Sequence, residues 1–334
     1  MMAAAHHAHS VPRWSSSRRV GKRKRAQHVS RNGLIIGCLV TALGLPTVPH
    51  PVAAQERELR SYGAGAPEAK LMLFYSSGIA FSPIGVPWGA TGLSAMAVAP
   101  GQKIPRTELA LEISYLPSLS ADQRTISTDK PEATNLAPVF ARPRLGVRLP
   151  WGLGLEGSWI PPFQVFDVKA NIFSAAVSRA FGVGAGVRLT PRLSVLTGRV
   201  EGAITCNRDT ADDGDQSLMT YYSFVCYGND SRDYFDPRHV SGELIVARSV
   251  ANGRWEPYLS AGARGERTRF DVGVIRSDGS RDPDNPVLEV KTTRAYGTAG
   301  ASWVGFPRTR LSAELYYAPG SVFTVRALAG VHLW

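Results

Sequence analysis

The sequence predicts an all-β fold: an antiparallel, up-and-down transmembrane β-barrel of about ten strands, with about 8–12 compatible with the pattern. Three observations predict it. Residues 173–189 hold a period of two, with Phe173, Ala175, Val177, Phe181, Val183, Val187 and Leu189 on one parity and Ser174, Ser178, Gly182, Gly184 and Gly186 on the other. Strands of soluble proteins usually run to about five or six residues, and this parity persists for about three times that length. Connections along the chain alternate between tight turns and long loops, and no later segment offers about 20 unbroken apolar residues, so only strands closed on themselves could cross a bilayer. Arg179, on the apolar parity, leaves three readings open: a headgroup position, a bulge, or two strands in place of one.

Residues 1–54 are set apart first. They carry eight Lys or Arg and no acid, a short apolar core at 33–45, and Val52, Ala53 and Ala54 before Gln55. This is the layout of a secretory signal peptide cut near Ala54. A mitochondrial presequence fits the apolar core and cleavage box less well. A twin-arginine signal at Arg18 and Arg19 lacks the apolar residues it needs, and too few apolar residues precede Cys38 for a lipoprotein box. The chain has 38 Lys+Arg against 27 Asp+Glu, so removing the leader leaves 30 against 27. The basic balance belongs to the leader and gives no argument for a nucleic-acid partner.

The expected organisation is a leader at 1–54, an N-terminal segment at 55–105 and a barrel at 106–334. Residues 55–70 read as polar and mobile. For the apolar stretch 71–99 three readings stay open: a helix plugging the lumen, extra strands, or a segment tucked under the barrel. From Thr107 the strand signals become regular. Leu109, Leu111, Ile113 and Tyr115 alternate with Glu108, Ala110, Glu112 and Ser114. Leu145, Val147 and Leu149 then turn at 150–152 into Leu153, Leu155 and Trp159, placing Arg148 and Glu156 on one face, within reach of each other. A turn is expected at Thr190, Pro191 and Arg192, followed by a strand with Leu196, Val200 and Ile204 opposite Arg199 and Glu201. The longest connection is 205–239; a long loop in a compact domain is normally functional or disordered. Asn252 and Gly253 mark a hairpin, 271–289 is a second long loop, and residues 305–309 and 318–321 make the last two reversals.

Tight turns at 150–152, 190–192, 251–254 and 305–309 thus interleave with connections at 117–137, 160–168, 205–239, 271–289 and 318–321. Barrels of outer membranes show this asymmetry, with short turns at the periplasmic end and longer loops outside. The chain also stops at Val331, His332, Leu333 and Trp334. On these features residues 107–334 with the leader resemble the bacterial outer-membrane β-barrel proteins, an architecture rather than a particular member. The resemblance implies residence in the outer membrane of a Gram-negative cell, outer-membrane lipid as a partner, and recognition of Trp334 by the barrel assembly machinery.

Charged residues Arg148, Glu156, Arg188, Arg199, Glu201, Arg264, Glu266 and Glu314 fall on the faces opposite the apolar ones and are expected to line the lumen. They would either pass polar solutes or fill a narrow barrel with ion pairs. Cys206 and Cys226 are expected to form a disulfide in an exported chain, since two thiols are too few for a metal site. Asp209, Asp212, Asp213 and Asp215 form an acidic loop cluster that lacks the spacing of a calcium loop, so neither metal nor cofactor is expected. Trp151, Trp159, Trp255, Trp303 and Phe306 stand near strand ends, where interfacial girdles belong. They would also suit the core of a soluble β-sandwich, an alternative that long strands and one-sided loop lengths disfavour.

Beyond the leader the only histidines are His239 and His332. His239 beside Asp236 is similar to the Asp–His arrangement of omptin proteases, although the spacing differs. The expected function is therefore a passive pore or structural envelope protein without a catalytic site. The alternative is a surface binding or adhesion protein using the braced loop, and an omptin-like or lipid hydrolase using His239 ranks below both.

Overall fold

The computed structural model describes residues 59–79, 106–117, 125–127, 130–131, 138–149, 152–165, 168–212, 214, 216–251, 253–306, 308–320 and 322–333. Residues 1–58, which include the expected leader, residues 80–105, Trp151, Asp213, Asp215 and Trp334 lie outside them. In chain order the elements are β1 (Leu59–Tyr62), α1 (Pro67–Ile79), β2 (Arg106–Tyr115), β3 (Thr125–Ser127), β4 (Lys130–Pro131), β5 (Val139–Arg148), β6 (Leu153–Ile160), β7 (Gln164–Val165), β8 (Val168–Arg179) and β9 (Phe181–Gly184). They continue with β10 (Val187–Gly202), α2 (Arg208–Asp212), α3 (Gln216–Phe224), β11 (Asp233–Arg248), β12 (Trp255–Asp271), β13 (Val287–Trp303), β14 (Thr309–Ala318) and β15 (Val322–His332).

Ten of these strands close a barrel, in the order β2, β5, β6, β8, β10, β11, β12, β13, β14, β15 and back to β2. Every neighbouring pair is antiparallel, and the last strand seals against the first through Val325↔Tyr115 to His332↔Glu108. Alternation sorts the side chains. On β2 the four apolar residues from Leu109 to Tyr115 stand exposed outside, while Glu108, Glu112 and Ser114 are buried inside. Leu155, Leu193, Leu244, Leu259, Leu315 and Val325 continue the same outward apolar band around the barrel. Polar residues inside and apolar residues outside invert the soluble arrangement, and the sandwich alternative falls with it.

The wall is uneven in height. β10 and β11 have 16 residues each and β12 and β13 have 17, against 8–12 for β2, β5, β6, β8, β14 and β15. At about 3.3 Å per residue the tall strands reach roughly 55 Å, more than a tilted strand needs to cross hydrocarbon. Their excess projects at the end of the long loops. There β13 outruns β14, whose ladder begins at Gly297↔Tyr317. The projecting edge of β13 is covered instead by β1, which runs parallel to it from Leu59↔Val287 to Tyr62↔Val290. The expectation that 55–70 is mobile is thereby corrected for β1, whose backbone completes a sheet edge.

A second correction concerns residues 173–189, which fall on three strands, the end of β8, β9 and the start of β10. β8 stops at Arg179, β9 follows, and the chain reverses through Gly184, Ala185 and Gly186, all at positive φ. That backbone suits glycine. The predicted turn at 190–192 lies inside β10. Pro191 pairs toward β11 with Leu244, and on its other side stands the break between β8 and β9, where a missing N–H costs no ladder bond. Arg179 is exposed on the outer face, over the ring of Phe181 at 5.1 Å.

Helix α1 starts with Pro67 and Glu68 in its first turn, positions that suit a missing N–H and a negative charge. Its residues Ala69 and Leu71 to Tyr75 are buried against inward side chains at the long-loop end, among them Ile172, Leu196, Val200, Phe235, Val290 and Tyr316. The approach is close at Gly78, where a Cβ would stand 2.6 Å from a methyl of Leu116. Of the three readings for 71–99, the helix in the lumen describes 71–79.

Candidate functional site

The lumen has two storeys. In the lower one, at membrane height, charged side chains bond across the barrel. Glu112 on β2 receives Arg142 at 2.8 Å and Arg144 at 3.3 Å, both from β5, with Arg326 of β15 at 3.8 Å. Arg144 continues to Glu156 on β6 at 2.8 Å, Arg192 on β10 lies 3.6 Å from Glu156, and Arg192 donates to Glu243 on β11 at 2.7 Å. Ser260 of β12 donates to Glu243 at 3.0 Å and shares a hydrogen bond with Thr298 of β13. Arg326 also pairs with Glu314 on β14, which accepts the Tyr258 hydroxyl at 2.9 Å. Glu108 is bonded to Arg310 and, at 3.0 Å, to His332. The network touches nine of the ten strands, and each charged member named from Glu112 to Glu314 is at most 8% exposed. Its height follows from the alternation. Glu112, Glu156, Arg192, Glu243, Glu314 and Arg326 each sit beside a residue of the outward apolar band.

The upper storey holds α1 by a polar clasp. Ser76 donates to Glu266 at 2.9 Å and lies 2.7 Å from His239 Nε2. Ser77 receives Arg264 at 3.0 Å and Arg294 at 2.7 Å, and Arg294 also reaches the Leu73 carbonyl at 3.2 Å and pairs with Glu266. A Ser–His pair at 2.7 Å resembles a nucleophile and its base. Ser76 also donates to Glu266, and the direction of its bond to Nε2 follows the imidazole tautomer, so the pair belongs to the clasp that seats α1.

Above the lumen, two long loops are tied by one carboxylate. Asp233, fully buried at the start of β11, accepts from the N–H groups of Ile204 and Gly273 at 2.9 and 2.7 Å, from Thr205 N–H, and from the Ser231 hydroxyl at 2.7 Å. Burial pushes its carboxyl above the ordinary range, against the pull of these donors. The sulfurs of Cys206 and Cys226 are bonded within the same loop, under Val274 and Tyr222. Asp233→Asn turns one acceptor into a donor facing N–H groups, a loss of about 1–3 kcal/mol. Faster limited proteolysis within 203–232 and 272–286, with the barrel's unfolding midpoint nearly unchanged, is the expected result.

The sequence-predicted residues divide by place. Glu156, Arg264, Glu266 and Glu314 are buried inside. Arg148 and Arg188 are half-buried near the short turns, and Glu156 engages Arg144 and Arg192. Arg199 and Glu201 are corrected to the outer face. Arg199 is bonded bidentately to Asp236 at 2.7 and 2.8 Å with its side chain 54% exposed, while Leu196, Val200 and Ile204 point inward onto α1. The parity was legible, but above the bilayer the apolar side of a strand turns toward the helix. His239 is likewise moved from the loop margin into β11, on the inner face, and the loop itself spans 203–232. Asp209 and Asp212 fall on α2, where Asp212 lies 3.6 Å from Arg208. The sequence reading missed Ser76, Ser77, Arg142, Arg192, Glu243, Arg310 and Arg326. Parity on their strands marked the charged ones as inward, whereas nothing in the sequence marked the two serines.

Aromatic residues stand toward both ends of the apolar band. Trp159 stacks on Phe173 at 5.8 Å toward the long loops, and Trp255, Trp303 and Phe306 cluster at the short turns, Trp303 to Phe306 at 5.5 Å. Tyr and Trp concentrate at bilayer interfaces because they are apolar with a polar tip. This is the architecture of an outer-membrane β-barrel protein. No family model matches the sequence, and no curated protein matches it. Among solved structures it is similar to Ail, the attachment invasion locus protein of Yersinia pestis, at 10% identity and TM-score 0.27, covering 68% of this chain and 96% of Ail. It is similar to the Ralstonia pickettii toluene transporter TbuX at 9% and 0.28, covering 72% and 93%. It is also similar to the N-terminal β-barrel domain of Pseudomonas aeruginosa OprF at 10% and 0.23, covering 69% and 100%. At such scores no role passes from those proteins to this chain.

Proposed function

We propose that this protein is a sealed barrel of the bacterial outer membrane, an envelope component whose working surface is its long-loop end. One observation carries the reading: the charged network from Glu112 to Glu243 and Glu314 crosses the lumen at membrane height with its members buried. Small barrels are filled by their side chains, and ions cannot pass where guanidinium and carboxylate groups already occupy the section. Helix α1 adds a second seal above it. On this reading the short turns face the periplasm, residues 1–54 are the cleaved leader, and no enzymatic site is used.

A surface-binding role is favoured over passage of solutes by the loop 203–232. The disulfide closes this loop on itself and Asp233 ties it to the 272–286 loop, so a partner would meet a shape already formed.

Planar-bilayer recording tests the seal. The folded protein should give no conductance steps, and deleting residues 55–105 should leave it silent because the lower storey remains. Steps from the intact protein would refute the sealed reading. Steps only after the deletion would replace it with a pore closed by its own helix.

A further inference from the structure

We propose that the outer face of β10 to β13, just above the apolar band, binds the phosphate groups of an outer-leaflet glycolipid. The inference rests on the outer-membrane reading. One hydrogen-bonded row carries Arg238 opposite Arg267 and Arg267 opposite Lys291, all pointing outward. Side chains directly opposite on neighbouring strands stand about 4.5–5.5 Å apart at Cβ, and like charges there repel. The barrel tolerates three cations in a line where an anion lies over them.

The next row outward is mixed. It holds Arg199 bonded to Asp236, then Arg269, then Glu289, which takes Arg267 at 2.7 Å and Lys291 at 2.8 Å. Over the two rows five cations face two carboxylates. Among the described residues Arg238 and Arg269, both exposed, have no protein partner. They are diagonal neighbours, and two guanidinium forks at that spacing suit the oxygens of a phosphate.

The depth is marked independently. The row of Arg238 runs through Thr197 to Phe173 and Trp159, the stacked aromatic pair on the same outer face. Directly beneath it on the same strands lie Val195 and Val240, 51% and 64% exposed. Aromatics beside the row and aliphatics below it put the cations at headgroup level. The potential of an anionic membrane surface attracts cations at this height, and bonding a phosphate directly adds to that attraction.

The test uses the protein inserted in phosphatidylcholine nanodiscs, with insertion scored separately by its resistance to protease. Bisphosphorylated lipid A and the same lipid stripped of phosphate are compared as probes by native mass spectrometry. The phosphorylated form should be retained about tenfold more tightly or better, as expected for one to two charge-assisted bonds. Arg238→Gln with Arg269→Gln should erase the preference, while Arg179→Gln, an exposed cation near the short turns, should keep it. Equal retention of the two lipids by inserted protein overturns this site and leaves the membrane reading standing. Equal loss in Arg179→Gln overturns it as well, since charge alone would then suffice. A soluble sulfated polysaccharide that binds without lipid and needs Arg238 and Arg269 overturns the lipid assignment in favour of a free polyanion. Failure to insert overturns both readings.

Discussion

Glu112→Ala is expected to cost about 3–5 kcal/mol of barrel stability, the range found when one partner of a buried ion pair is removed. The carboxylate is fully buried and faces Arg142, Arg144 and Arg326. Its loss leaves three guanidinium groups around a gap with less negative charge to share. Arg326 keeps Glu314 and Arg144 keeps Glu156, so the damage is concentrated at Arg142. Glu112→Gln preserves the volume and should recover little, which separates charge from packing. Replacing Glu112 and Arg142 together by leucine should recover most of the loss, because an apolar filling needs no desolvated charge while Arg326 and Arg144 keep Glu314 and Glu156. Urea unfolding of the protein folded into lipid vesicles measures all three. A loss below about 1 kcal/mol for Glu112→Ala would mean that water reaches the network, as for an exposed pair, and the sealed lumen would be refuted with it.

The alternation that exposes Leu109 and buries Glu108 was legible because a strand has only two faces and the solvent outside this barrel is apolar. The same rule misled above the bilayer. Leu196, Val200 and Ile204 read as lipid-facing until α1 supplies a different apolar neighbour inside the wall. Residues 173–189 misled for a local reason: the reversal through Gly184, Ala185 and Gly186 uses no Asn, Asp or Pro and leaves the alternation on either side unbroken. Pro191 carried the false turn signal, because a gap in the ladder to β8 and β9 tolerates it within a strand. The clasp was not legible at all. Ser76 and Ser77 are ordinary helix residues until a fold brings them to β11, β12 and β13 across more than 160 positions of chain. Contacts of that range are set by the barrel's closure, which local sequence does not encode.

Glu266→Ala should act on α1 while sparing the barrel. Glu266 is the acceptor for Ser76 on the helix and the counter-charge for Arg294, with Arg264 at 3.7 Å and His239 at 3.5 Å. Without it Arg264 and Arg294 converge on the Ser77 hydroxyl, which cannot offset two charges. The same penalty of about 3–5 kcal/mol then falls on the seated helix, and each 1.4 kcal/mol is about tenfold in the open population. A reporter Ala69→Cys, at a position fully buried in the native protein, should react with an impermeant maleimide about a hundredfold faster or more in the Glu266→Ala background. Cys206 and Cys226 are bonded to each other and do not compete. The urea midpoint should move less than for Glu112→Ala, because the lower storey that ties nine strands together is untouched. Unchanged labelling would assign the seat to the apolar contacts of Leu71 to Tyr75 alone. Faster labelling would place the hold on α1 in the polar clasp, with the barrel below it still sealed.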